Sequence, residues 1–378
     1  MTENHHLPPG SRPPIPDPRS PIKVLVVEDS PVVREFLVHV LSSDGQIQVI
    51  GTANDGEEAL KVVEQKKPDV ITMDINMPKM DGFEATRRIM GSYPTPIVIV
   101  SGNWDTKEVA TTFRAIEAGA LIGVRRPTGI GHPDHEATVK ELLETVKLMS
   151  EVKVVRRWSR IRRQEPGPSI RHRAESDLKP IIPSKIRLVA MGASTGGPMV
   201  LQKILSRLPK DFSAPVLIVQ HMTTGFIQGF VEWVSQTSGF PVRVAIYGEL
   251  LIPGHAYVAQ DGLHMGIGSG NRIELSHDKP ENGLRPSVSY LFRSVIKTYS
   301  RNAIGVLLTG MGRDGAEELK LMKDNGAVTI VQDKESSVVH GMPGEAIGLG
   351  AATYVLPADG IAAALTHLVG RMGKETIS

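Results

Sequence analysis

The chain has 378 residues, 40% of them hydrophobic, and a formal net charge of +2, enough for two ordinary domains with their own cores. That near-balance of charge weighs against nucleic acid or acidic lipid as the main partner, and the absence of cysteine excludes disulfides, thiol nucleophiles and cysteine-ligated zinc. No apolar run approaches the roughly 20 residues a membrane helix needs, so a cytoplasmic protein without membrane insertion is the expectation.

Residues 1–21 hold seven prolines and two histidines. They lack the apolar segment of a signal peptide and read as a disordered leader. Order begins at Lys23, where Lys23–Val27 is a short apolar strand buried on both faces. It ends at Glu28-Asp29-Ser30-Pro31, with Ser30 placed to cap a helix and Pro31 suited to its first turn. Strands follow at Gln46–Ala53, Asp69–Met73, Ile97–Val100 and Ala120–Val124, with helical patterns between them, for example Glu57–Gln65 and Thr106–Glu117. A last helix covers His135–Ser150. Strands alternating with helices predict a parallel sheet covered on both sides, and residues 22–150 read as the first domain.

Residues 151–185 carry ten Lys or Arg against four Asp or Glu, with four prolines and Trp158. This stretch reads as a solvated basic linker; a docking surface for an acidic partner is the alternative. A second α/β pattern fills residues 186–372. Its strands are expected at Ile186–Met191, Pro215–Gln220, Tyr257–Val258, Ala303–Leu308, Thr329–Val331 and Thr353–Leu356. Its helices are expected at Pro198–Leu208, Gly225–Gln236, Val288–Tyr299 and Ala316–Asn325. The fold class is α/β throughout: a five-stranded flavodoxin-like domain, then a doubly wound one.

Ligands of parallel α/β sheets collect at the carboxyl ends of the strands. In the first domain Glu28, Asp29 and Asp74 fall there. Three clustered acids repel unless a cation sits among them, and oxygen-only ligands favour Mg²⁺ or Mn²⁺. Asp74 is then a candidate phosphoryl acceptor. Ser101 and Arg126 close the next two strands, where a hydroxyl and a cation could bond phosphoryl oxygens. In the second domain Gly192-Ala-Ser194-Thr-Gly196 lies between strand and helix. It fits either a nucleophile turn or a phosphate cradle. His221 follows the next strand, as a structural residue or as the serine's base. Asp314 qualifies to orient that base. Its turn, Gly310-Met-Gly-Arg-Asp-Gly315, also matches a dinucleotide fingerprint, but a carboxylate there would repel a pyrophosphate.

Glu28-Asp29-Ser30, Asp74-Ile-Asn-Met-Pro-Lys-Met-Asp-Gly82, Ser101 and Glu117-Ala-Gly-Ala120 together resemble a response-regulator receiver domain. The resemblance implies a phosphorylated Asp74, Mg²⁺ held by Glu28, Asp29, Asp74 and the carbonyl of Asn76, and switch residues Ser101 and Arg126. The family normally has lysine at the position of Arg126. Met191–Pro198, Val219–Met222, Leu308–Gly315 and Val339–Pro343 resemble the chemotaxis protein-glutamate methylesterase (CheB) family, in which a receiver precedes the hydrolase. That resemblance implies Ser194 as nucleophile, His221 as base and acid, and Asp314 as orienting carboxylate, with Thr195 and the Met311 N–H near the oxyanion. It also implies methyl-accepting chemotaxis receptors as substrate, glutamine deamidation as a second activity, a chemotaxis histidine kinase as phosphoryl donor, and no cofactor for the ester chemistry. The pattern is departed from at Leu284, Ser289 and Gln260-Asp261. A non-enzymatic adaptor built on an inactive hydrolase fold is the rival reading.

Overall fold

The computed structural model describes residues 20–102, 106–152, 154 and 186–370. The expectations for the leader up to residue 19, for most of the 151–185 linker with Trp158, and for the chain after 370 lie outside the described residues. The first half runs β1 Ile22–Val27, α1 Pro31–Ser42, β2 Ile47–Ala53, α2 Gly56–Lys66, β3 Val70–Met73, α3 Gly82–Ser92, β4 Ile97–Ser101, α4 Thr106–Ala118, β5 Ile122–Arg125 and α5 His135–Ser150. Its strands are all parallel, in the order β2-β1-β3-β4-β5. This is the flavodoxin-like winding, which opens a crevice at the carboxyl ends of β1 and β3. The central strands are apolar because both faces are covered. Val24, Val26 and Val98 pack with α1 and α5; Leu25, Ile71 and Ile99 pack on the opposite side.

Ser30 does not cap α1 as expected. Its side chain makes no cap hydrogen bond, and its N–H donates instead to Glu28 Oε1 at 3.2 Å.

The second half runs β6 Leu188–Ala193, α6 Gly197–Leu205, β7 Val216–Gln220, α7 Ile227–Ser238, β8 Val242–Val244, β9 Ala256–Val258, β10 His264–Ile267, β11 Ile273–Ser276, α8 Val288–Tyr299, β12 Ala303–Leu307, α9 Ala316–Asp324, β13 Val328–Gln332, α10 Gly341–Gly348, β14 Tyr354–Leu356 and α11 Ala358–Gly370. Seven parallel strands lie in the order β14-β13-β12-β6-β7-β9-β8. Helices α6, α7 and α11 cover one face, and α8, α9 and α10 the other. Strands β10 and β11 form a separate antiparallel hairpin. The edge strand β8, this hairpin and helices α10 and α11 were not among the expected elements.

The halves touch through α4 and α7. Phe113 stacks on Trp233 with ring centroids 5.1 Å apart and 16° between planes, and it meets Phe226 and Phe230 as well. Trp233 Nε1 donates to Glu117 Oε1 at 3.0 Å. Among the described residues no helix is long and apolar enough to cross a membrane.

Candidate active site and phosphorylation site

The order of strands brings the serine, histidine and aspartate to one edge. β6 is central, with β7 on one side and β12 on the other. Ala193 pairs with Gln220, and the N–H of His221 donates to Ala193 O at 2.9 Å. Ser194 and His221 are therefore the next residues on adjacent strands. On the other side, Ser194 N–H donates to Thr309 O at 3.0 Å, so the Thr309–Gly315 turn closes against the serine. Gly310 is required by that closure: a Cβ there would lie 2.7 Å from Ser194 Cβ and 2.5 Å from Met342 Sδ. The same turn delivers Asp314, whose Oδ2 lies 3.0 Å from His221 Nε2. At that distance Nε2 still meets no partner in hydrogen-bond geometry, so the carboxylate faces the ring edge without a linear bond to it.

Asp314 is buried and richly supported. It accepts from Ser287 Oγ at 2.9 Å, from Val288 N at 2.7 Å and from Ser289 N at 3.1 Å. The last two are free N–H groups of the first turn of α8, where an anion is favoured. Burial alone pushes the carboxyl up. The His221 contact and charge and the α8 donors outweigh it and hold Asp314 down at about 2. The stability it contributes is complete above its ordinary value of 3.8 and lost as pH falls through about 2. The carboxylate is thus charged throughout any working range.

Two supporting residues escaped sequence reading. The amide of the buried Gln220 donates to Ser194 O at 2.9 Å and to His221 O at 2.7 Å, tying the backbones of both residues together. Ser287 holds Asp314, and its position just before a helix and beside Pro286 reads only as a cap; it does accept from Tyr290 N. A hydrogen bond to a buried charge is worth about 1.5–3 kcal/mol. Ser287→Ala is therefore expected to lower kcat at least about tenfold, and Ser287→Thr to restore part of it. Unchanged kcat in Ser287→Ala would remove the residue from the site.

The other expected residues are placed as follows. Thr195 is buried, and its carbonyl accepts from Thr309 Oγ1 at 2.9 Å. Met311 follows Gly310 and is 43% exposed. Thr195 and Met311 thus lie on the two turns that flank Ser194. Gln260 Nε2 donates to Ala245 O, and Asp261 accepts from Gly225 N, so these departures tie loops together. Ser289 donates to Glu318 Oε2 and accepts from Gly315 N, bracing the Asp314 turn from behind. His264 is buried and stacks on Tyr290. The fingerprint-like glycines at 310 and 315 are spent on packing, Gly310 on Ser194 and Gly315 on Val288.

In the first half, Glu28, Asp29 and Asp74 each offer an oxygen within 4.8 Å of the others. Gly82 makes the Asp74 loop possible, since a Cβ there would stand 2.0 Å from Asp74 O. Burial, then the charge of Asp74, pushes Glu28 up to about 7, against the Ser30 N–H and Arg126. Its Oε2 is buried with no hydrogen-bond partner. A buried orphan oxygen in an under-compensated acidic cluster is what a divalent cation with oxygen ligands would relieve. The residues present fit such an ion. Asn76 is exposed on the loop that follows Asp74, Ser101 is buried at the end of β4, and Arg126 is half-buried after β5.

Comparison with known proteins matches each half to a family. Residues 24–129 match the response regulator receiver domain, and residues 189–365 match the family described as CheB methylesterase. A protein-glutamate methylesterase/protein-glutamine glutaminase of Nitrosospira multiformis is 59% identical over 94% of this chain and 99% of its own. One of the same name from Syntrophus aciditrophicus is 60% identical over 92% of this chain and 99% of its own. Among solved structures, the catalytic domain of Thermotoga maritima CheB methylesterase aligns with 49% of this chain and 100% of its own, at 38% identity and a TM-score of 0.48. Matched by both family models in this order and aligned with these relatives along nearly their whole length, the chain belongs to the protein-glutamate methylesterase/protein-glutamine glutaminase (CheB) family.

Proposed function

We propose that this protein hydrolyses glutamate γ-methyl esters, and deamidates glutamines, on methyl-accepting chemotaxis receptors. Residues 22–150 act as the receiver and residues 186–372 as the hydrolase. The observation that carries the reading is the meeting of Ser194, His221 and Asp314 at one sheet edge. Ser194 Oγ attacks the ester carbonyl carbon while His221 takes its proton. The carbon–oxygen bond to the leaving group breaks, and methanol departs with the proton from His221. Water then attacks the acyl-enzyme, His221 takes a proton from it, and the glutamate carboxylate and free Ser194 are released. With an amide the leaving molecule is ammonia. Thr195 and the Met311 N–H serve the oxyanion. Asp314 holds the ring and offsets the imidazolium charge.

Control comes from the receiver. A kinase phosphohistidine loses its phosphorus–nitrogen bond as Asp74 forms a phosphorus–oxygen bond. Mg²⁺ held by Glu28, Asp29, Asp74 and the Asn76 carbonyl supplies positive charge to the phosphoryl oxygens when bound. Ser101 and Arg126 face the same crevice. The receiver also lies against the loops of the hydrolase site. Glu141 of α5 accepts from Thr223 Oγ1 at 2.7 Å, two residues past His221. Val338 packs on the receiver core and also covers Gly196, two residues past Ser194. This supports a receiver that restricts the cleft until phosphorylation shifts the population.

The test is methanol release from a methylated receptor by the full chain, with a fluorophosphonate probe as partner assay. Methanol release together with labelling of Ser194 is expected. Absence of both would favour the adaptor reading.

A further inference from the structure

The side chain of Arg126 and the missing side chain of Gly102 share one place. β5 lies beside β4 with Ser101 opposite Arg125, and Arg126 N–H donates to Ser101 O at 2.8 Å. From there the guanidinium runs back over the end of β4. A Cβ on Gly102 would stand 2.1 Å from Arg126 Nη2, 2.4 Å from Cζ and 2.9 Å from Nε. All three atoms belong to the planar group, so the plane rests against the bare Cα of Gly102.

The direction matters. β4 separates β5 from β3, and Asp74 follows β3. A group that starts after β5 and crosses the end of β4 is heading for the acceptor. Its charge also acts on Glu28, on the far side of the crevice. A lysine at this position would need no such bed, because an ammonium is a compact point on a thin stem. A guanidinium is a broad fork and needs a flat, open approach. In return it grips two oxygens of one phosphoryl group at once.

We propose that Gly102 and Arg126 form one phosphoryl-gripping unit: Gly102 is the bare surface on which the Arg126 guanidinium lies, and from there the fork takes two oxygens of phospho-Asp74. This deepens the reading of Asp74 as acceptor and rests on it. The arginine is thereby more than a charge-preserving stand-in for lysine. It is paired with a glycine one strand away, and neither residue serves the grip without the other.

The test is a double-mutant cycle on the full chain, with beryllofluoride and Mg²⁺ as the phosphoryl mimic and binding read by calorimetry. Gly102 is exposed and its backbone is outside the left-handed region, so alanine fits there and displaces only the flexible end of Arg126. The melting temperature without the mimic should be the same in every variant. Gly102→Ala is expected to weaken mimic binding about tenfold, as loss of a charge-assisted bidentate contact would. In the Arg126→Lys background the same change should stay within about twofold. An equal loss in both backgrounds, or no loss with Arg126 present, overturns the proposal. Mimic binding that survives Asp74→Asn would instead sink the acceptor reading, and the proposal with it.

Discussion

Ser194→Ala is expected to lower methyl-ester turnover by about 10⁶-fold, to a floor that His221→Ala and the double variant share. The reason is that the two side chains act in one event. The serine is inert without a base, and the base has nothing to deprotonate without the serine. Their positions are fixed by backbone, through the Ala193–Gln220 pairing, the His221 N–H to Ala193 O bond and the Gln220 clamp on both carbonyls. Truncating either side chain therefore removes chemistry and leaves the framework standing. Methanol release and the melting temperature, measured on the same preparations, check this. Near-normal release by Ser194→Ala would show that another nucleophile does the work. Losses that multiply in the double variant would show that the two residues act separately.

Asp74→Asn is expected to abolish the response to a small phosphoryl donor, a loss on the order of 5–150-fold in the stimulated rate. Asparagine keeps the shape but cannot carry the phosphoryl group. The size follows from the contacts that hold the halves together. Two hydrogen bonds, Thr223 to Glu141 and Trp233 to Glu117, join them beside the Phe113–Trp233 stack. Each such bond to a carboxylate contributes about 1.5–3 kcal/mol. A phosphoryl group that disfavours the closed arrangement by a few kcal/mol is enough to free the cleft. Initial rates with and without acetyl phosphate and Mg²⁺ are the measurement. Stimulation that persists in Asp74→Asn would place the acceptor elsewhere.

Much of this site was legible in the sequence because its parts stand at strand ends. Runs such as Lys23–Val27 and Pro215–Gln220 announce buried parallel strands, and whatever follows them must face the crevice. Glu28, Asp74, Ser194 and His221 could be found this way, and the structure places each just past its strand. What escaped is what depends on contacts between distant segments. Ser287 is an ordinary cap until the Asp314 turn folds onto it, and Gln220 is one more strand residue until β6 lies beside it. Glu141 and Thr223 are 82 positions apart, with no local pattern linking them. Strand β8 is three residues long and carries too little alternation to read. Helix α10 contains Gly341, Pro343, Gly344 and Gly348, all poor helix formers, so packing of Met342 and Ala346 decides its form. Helix α11 was readable from Ile361, Leu365, Leu368 and Val369 at helical spacing.

Gly82 and Gly310 bear on how such a protein can diverge or be redesigned. Each lies directly against a residue proposed to react, Gly82 on the carbonyl of Asp74 and Gly310 on the Cβ of Ser194. A designer who varies only residues with functional groups would leave both in the mutable set. Yet a Cβ at either would meet backbone or side-chain atoms of the centre at under 3 Å. Libraries that aim to change substrate or signal should hold these two fixed and draw diversity from exposed neighbours such as Asn76 and Met311.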